Sequence, residues 1–163
     1  MNEPLASQGM SLIVKTVTHW VKVFILVFGM YIVLYGHLTP GGGFAGGVVV
    51  ACAFILLELA NGQTRTSQTV KVGVAAELDS AGALLFLGVA LVGMRAAGAF
   101  FKNFVPTPEA AWFKLFSAGV IPICNIGIGL KVGMSLFLVF VLLSALHVAV
   151  RNGDRKMIRR RKE

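Results

Sequence analysis

Lys131 is the residue in this chain whose chemistry most needs explaining. It lies in Asn125-Ile-Gly-Ile-Gly-Leu-Lys-Val-Gly133, about ten residues into an apolar run, with Gly129 and Gly133 nearby. An ammonium that deep in a low-dielectric medium is costly, and its stem is too short to carry it back to water. It must therefore meet an acid, line a watery path, or exchange its proton. Two chemistries follow: Lys131 carries charge along an ion or proton route, or it forms a static ion pair with a carboxylate of this chain or of a partner. The candidate acids are Glu58, Glu77 and Asp79, near the expected inner ends of apolar runs. They could gather cations at the entrance of a path, or simply complement a helix dipole. Asn125 places a polar amide early in the same run as Lys131. His147 sits near its end, and His19 and Arg95 occupy comparable edges of other runs. Each of these three has an ordinary structural reading, as a hydrogen-bonded packing residue or an interface anchor.

A second constellation is His37-Leu-Thr-Pro-Gly-Gly-Gly-Phe-Ala-Gly-Gly47. Pro40 cannot continue a helix, so the chain turns. Gly41, Gly42 and Gly43 allow a backbone conformation closed to other residues. Gly42/Gly46 and Gly43/Gly47 recur four apart, the spacing that lets a second helix approach closely, with Phe44 between them. Tight packing is the simpler reading. A helix N-terminus whose free N–H groups face an ion path is the alternative. The motif lacks the Lys-Ser/Thr of a phosphate loop. Gly127, Gly129 and Gly133 mark a second close-contact face around Asn125.

The elements that must hold these residues are membrane spans. Of 163 residues, 56% are hydrophobic and only 13% charged. A water-soluble domain of this size could not cover so much apolar surface. Four runs are long enough to cross a bilayer, over residues 16–35, 44–59, 78–101 and 121–150. The fold class is all-α: a polytopic, single-domain membrane protein of four transmembrane helices. Thr107-Pro108-Glu109, followed by Trp112, Phe113 and Phe116, predicts a short helix in the outer interface.

Of fifteen basic residues, seven lie between positions 151 and 162. After a span such a tail reads as a cytoplasmic anchor at anionic lipid, and nucleic acid is not an expected partner. Lys15, Arg65 and Lys71 fall on the same side as the tail, Lys102 and Lys114 on the other, so both termini are expected in the cytoplasm. No leader peptide is read at the N-terminus. Cys52 and Cys124 lie alone in apolar runs and are expected to be inert and buried. No metal, cofactor or nucleophile–base spacing is present, so no catalytic residue is expected.

Both motifs, His37-x-x-Pro-Gly-Gly-Gly-Phe-x-Gly-Gly47 and Asn125-Ile-Gly-Ile-Gly-Leu-Lys-Val132, closely resemble the B-subunit family of Mrp-type multisubunit sodium/proton antiporters, over nearly the whole chain. Relatives occur in archaeal membrane-bound hydrogenase and sulfur-reducing complexes related to respiratory complex I. The resemblance implies a small accessory subunit in a prokaryotic plasma membrane. It would contact other membrane subunits, with sodium ion and proton as transported species and the large antiporter-like subunits carrying most of the proton path. The rival expectation is a scaffold that carries no ion.

Overall fold

The computed structural model describes residues 10–61, 72–106, 114–115, 117–144, 146–151 and 154–159. Within them lie α1 (Leu12–Leu34), α2 (Gly42–Asn61), α3 (Val72–Ala97), α4 (Ile121–Ser144) and the strands β1 (Leu146–Arg151) and β2 (Asp154–Arg159). All four helices are long and apolar enough to cross a membrane. The chain is a multi-pass, four-helix membrane protein. The expected outer helix falls on residues 107–116, largely outside the described residues.

The boundaries depart from expectation in two informative places. α3 runs from Val72 to Ala97 rather than over 78–101. Glu77 and Asp79 interrupt the apolar run and so delay a span read from hydropathy, although they lie inside the helix. α4 stops at Ser144 rather than reaching residue 150. Val148, Ala149 and Val150 keep the composition apolar, but they belong to a strand. There β1 pairs antiparallel with β2, Leu146 opposite Arg159 and Arg151 opposite Asp154.

The helices form a layer in the order α1, α2, α4, α3, with α1 also touching α4. Their offsets give the directions. Gly43 N–H donates to Asn125 Oδ1 at 3.3 Å, between residues 82 apart in sequence. One turn on, Gly47 faces Gly129 at the same offset, so α2 and α4 run parallel. α1 and α2 are joined by a tight turn and run antiparallel, with Gly29 against Val50 and Gly46 against Val33. α3 and α4 are antiparallel as well. Gly82 meets Lys131, and Asp79 meets Lys131 and Ser135 one turn away.

α4 is therefore the central helix, and it carries small residues on two opposite sides. Asn125, Gly129 and Gly133 face α2, and Gly127 faces α3. A Cβ on Gly47 would stand 2.7 Å from Gly129 O, and one on Gly82 would stand 2.7 Å from Gly127 O. Close backbone approach on both flanks is how small residues drive helix association in lipid, where apolar burial gives little. The bulky side chains collect elsewhere. Phe137, Met134 and Ala75 are buried, with Phe54, Ile55, Leu78 and Leu130 packed around them. Phe54 and Phe137 rings lie 5.8 Å apart in a tilted pair, a favoured aromatic geometry.

Candidate functional site: a lysine–aspartate pair within the bilayer

Three side chains meet at the seam between α3 and α4. Lys131 Nζ donates to Asp79 Oδ2 at 2.6 Å. Ser135 Oγ donates to Asp79 Oδ1 at 2.8 Å. The helices position them by simple geometry. Lys131 and Ser135 are one turn apart on α4 and so share a face. Gly82 lies one turn from Asp79 on α3 and has no side chain, which brings the two backbones together. A Cβ there would sit 2.8 Å from Lys131 N. That approach allows a short carboxylate on one helix to reach both donors on the other.

Depth gives the pair its meaning. At 1.5 Å per residue Lys131 stands about 15 Å along α4 and Asp79 about 10 Å along α3, away from the ends of helices that span a hydrocarbon core of about 30 Å. Charges there need partners. The carboxylate has both oxygens engaged and its side chain is 19% exposed, whereas the lysine side chain is 43% exposed. The apolar cluster adjoins the ion pair along the same seam: Ala75 precedes Asp79 by four residues on α3, and Met134 follows Lys131 by three on α4.

The outer end of the layer holds the other polar cluster. Gly41 has φ 93° and Gly42 has φ 56°. These left-handed conformations are natural to glycine. They turn the chain into α2 so that Gly43 N–H meets Asn125, buried at 8% exposure. Pro40 is exposed at that turn, and Phe44 points outward from the first turn of α2. Asn125 thus caps a helix start with its side chain, although it belongs to another helix, and satisfies one orphan donor. His37 Nε2 lies 3.1 Å from Lys114 O and 3.2 Å from Ser117 Oγ, and its ring stacks on Tyr35 at 6.5 Å. It ties the α1–α2 turn to the segment leading into α4.

The expected residues sort as follows. Lys131 and Asp79 come together; Asn125 and the glycines of both motifs come together at a separate place. Glu58 is 5% exposed on α2 and is engaged with a partner. Glu77 is exposed on α3. Lys131's salt bridge is to Asp79, so the three acids do not gather around one lysine. His147 lies not within a span but three residues past the end of α4, in β1, opposite Ile158. Cys52 is exposed rather than buried, and Cys124 is half-buried. Ser135 and Gly82 were not singled out from sequence. The i, i+4 spacing of Ser135 from Lys131 was the available signal. Gly82 stands alone among apolar residues and gave none. Among the described residues no cluster of His, Cys, Asp or Glu could hold a metal ion.

Comparison with known proteins agrees with this architecture. The chain matches the model of the domain related to the MnhB subunit of Na+/H+ antiporter over residues 13–148. An uncharacterized protein of Methanocaldococcus jannaschii is 34% identical over 146 residues, which is 85% of this chain and 54% of that one. A Staphylococcus saprophyticus chain bearing the name antiporter subunit mnhB2 is 52% identical over 48 residues, 29% of this chain and 34% of its own length. A chain in the structure of the membrane-bound sulfane sulfur reductase, an archaeal respiratory membrane complex, superposes with a TM-score of 0.70 at 33% identity. That match covers 86% of this chain and 61% of the other. The chain thus spans about half the length of its archaeal relative. With the match reaching from the start of α1 through the end of α4 and into β1, the chain belongs to the family of domains related to the MnhB subunit of Na+/H+ antiporters.

Proposed function

We propose that this chain is a small, non-catalytic subunit of a multisubunit Na+/H+ antiporter module, and that its Lys131–Asp79–Ser135 cluster forms part of the ion path. The observation that carries the proposal is an ion pair placed inside a span. A scaffold could reach the same packing with apolar residues at lower cost, since a buried ion pair is often no better than well-packed hydrophobic side chains. A pair kept at that depth fits a role in moving charge. The lysine polarises and balances the carboxylate, the serine orients it, and a passing cation or proton alters the balance. Family membership supports the antiporter setting. The distribution of lysine and arginine supports a plasma-membrane topology with both termini in a prokaryotic cytoplasm.

A second setting is favoured by the likeness to the sulfane sulfur reductase chain: the same kind of subunit inside a respiratory membrane complex. Mild detergent extraction followed by identification of the co-purifying subunits separates the two settings. Function is tested by removing this chain from its host and measuring sodium-dependent dissipation of a pH gradient in inverted membrane vesicles. Exchange should disappear and return with the wild-type chain. Unchanged exchange without the chain would refute the proposal.

A further inference from the structure

We infer that the face of α3 and α4 around Lys131 docks a transmembrane helix of another subunit, and that this helix presents a side-chain oxygen acceptor to the Lys131 ammonium. The hydrogen-bonding capacity is lopsided. Asp79 has both carboxylate oxygens engaged, by Lys131 and by Ser135. Lys131 has three donors, and among the described residues one of them is used, on Asp79. Its side chain is more than twice as exposed as that of its partner, 43% against 19%. The uncovered group is therefore a donor, and its complement is an acceptor. Lys131 stands about 15 Å from the start of α4 and its partner Asp79 about 10 Å from the start of α3, so lipid tails border much of this face. Bilayer tails offer no acceptor at all.

The neighbouring surface of α3 is shaped for a helix. Ala76, Ser80 and Ala83 are exposed, follow one another at helical spacing and flank Asp79. Gly73, one turn before Ala76, has nothing within 4 Å of where a side chain would start. Ser80 turns its hydroxyl back to Ala76 O, so the strip shows no unmatched donor of its own. Small residues at this spacing admit a second helix at close range, which would bring an acceptor within reach of Lys131. The inference rests on the proposed subunit role, but its readout is association, which the exchange assay does not measure.

Two arms test it in the complete complex. In the first, a photoreactive diazirine side chain replaces Leu87, one turn beyond Ala83 on the same face and 50% exposed. Photolysis in native membranes should link the chain to one transmembrane segment of a different subunit, with an Asp, Glu, Asn, Gln, Ser or Thr near the cross-link. Adducts to lipid alone would overturn the inference. The second arm combines Lys131→Met with Asp79→Leu, which removes both members of the pair and leaves neither charge behind alone. Recovery of this chain with its partner subunits in mild detergent should fall on the order of tenfold, the size of a strong interhelical hydrogen bond in lipid. Recovery at the wild-type level would show that Lys131 serves only Asp79 and would also overturn it. The Leu87 arm leaves the ion pair intact, so it decides the matter even if the double variant folds poorly.

Discussion

Gly82 and Gly88 sit six residues apart on α3 and make opposite demands. A methyl group on Gly82 would be driven into the backbone of Gly127 and Lys131, whereas one on Gly88 would meet nothing within 4 Å. Gly82→Ala should therefore destabilise the chain by about 1–3 kcal/mol through overpacking. Gly88→Ala should be neutral or slightly stabilising, because alanine is the better helix former by about 1 kcal/mol. Thermal aggregation of the purified chain in detergent, read by size-exclusion chromatography, distinguishes them; equal midpoints would contradict the close seam. Ser135→Ala removes one bond to Asp79 Oδ1 and should lower the midpoint modestly, through a stability loss of about 0.6–1.7 kcal/mol as for interhelical hydrogen bonds in lipid. At this scale the sequence spoke clearly where a residue type was out of place. Lys131 in an apolar run announced a partner, and a carboxylate was the natural choice. Which of three acids it takes depends on the relative registers of α2, α3 and α4, which no local pattern encodes.

The helices themselves were legible from apolar length, and their ends were not where charge or a change of element intervened. Glu77 and Asp79 were placed at the edge of a span because charges usually belong there. The short seam at Gly82 lets Asp79 remain inside. The glycine motifs were recognised as close-contact faces, but sequence could not say against what. The structure places Gly43 and Gly47 against Asn125 and Gly129 of the same chain, not against another subunit. The parallel register of α2 and α4 gives a sharp expectation. A Cβ on Gly133 would stand 3.8 Å from Val50 Cβ, which suits a disulfide. In a background lacking Cys52 and Cys124, Val50→Cys with Gly133→Cys should cross-link on mild oxidation. Val50→Cys with Ile126→Cys should not, since Ile126 lies two turns nearer the outer end of α4. A gel shift after protease cleavage in the 62–71 linker reads the result. Cross-linking of the second pair but not the first would mean the register is wrong.

As a whole the molecule is a row of helices whose backbones meet through glycine, with the Lys131–Asp79 pair at the α3–α4 seam and much apolar side chain facing outward. Trp20, Phe24 and Phe28 on α1 and Leu84 and Leu87 on α3 are all exposed in the isolated chain, as expected for a membrane protein whose outer faces meet an apolar surrounding. The few polar groups among its described residues support the proposal that the Lys131–Asp79 pair works as one station of a larger assembly rather than alone. The most direct test is Asp79→Asn in the complete complex. It keeps the side-chain shape and one of the two oxygen acceptors that Lys131 and Ser135 use, but replaces the other with an amide donor and removes the carboxylate charge. Sodium-driven proton movement in inverted vesicles should fall at least on the order of tenfold, a barrier change of about 1.4 kcal/mol, while every subunit still co-purifies. Wild-type exchange in that variant, with the complex intact, would show that the pair is a structural clasp and that ions travel elsewhere.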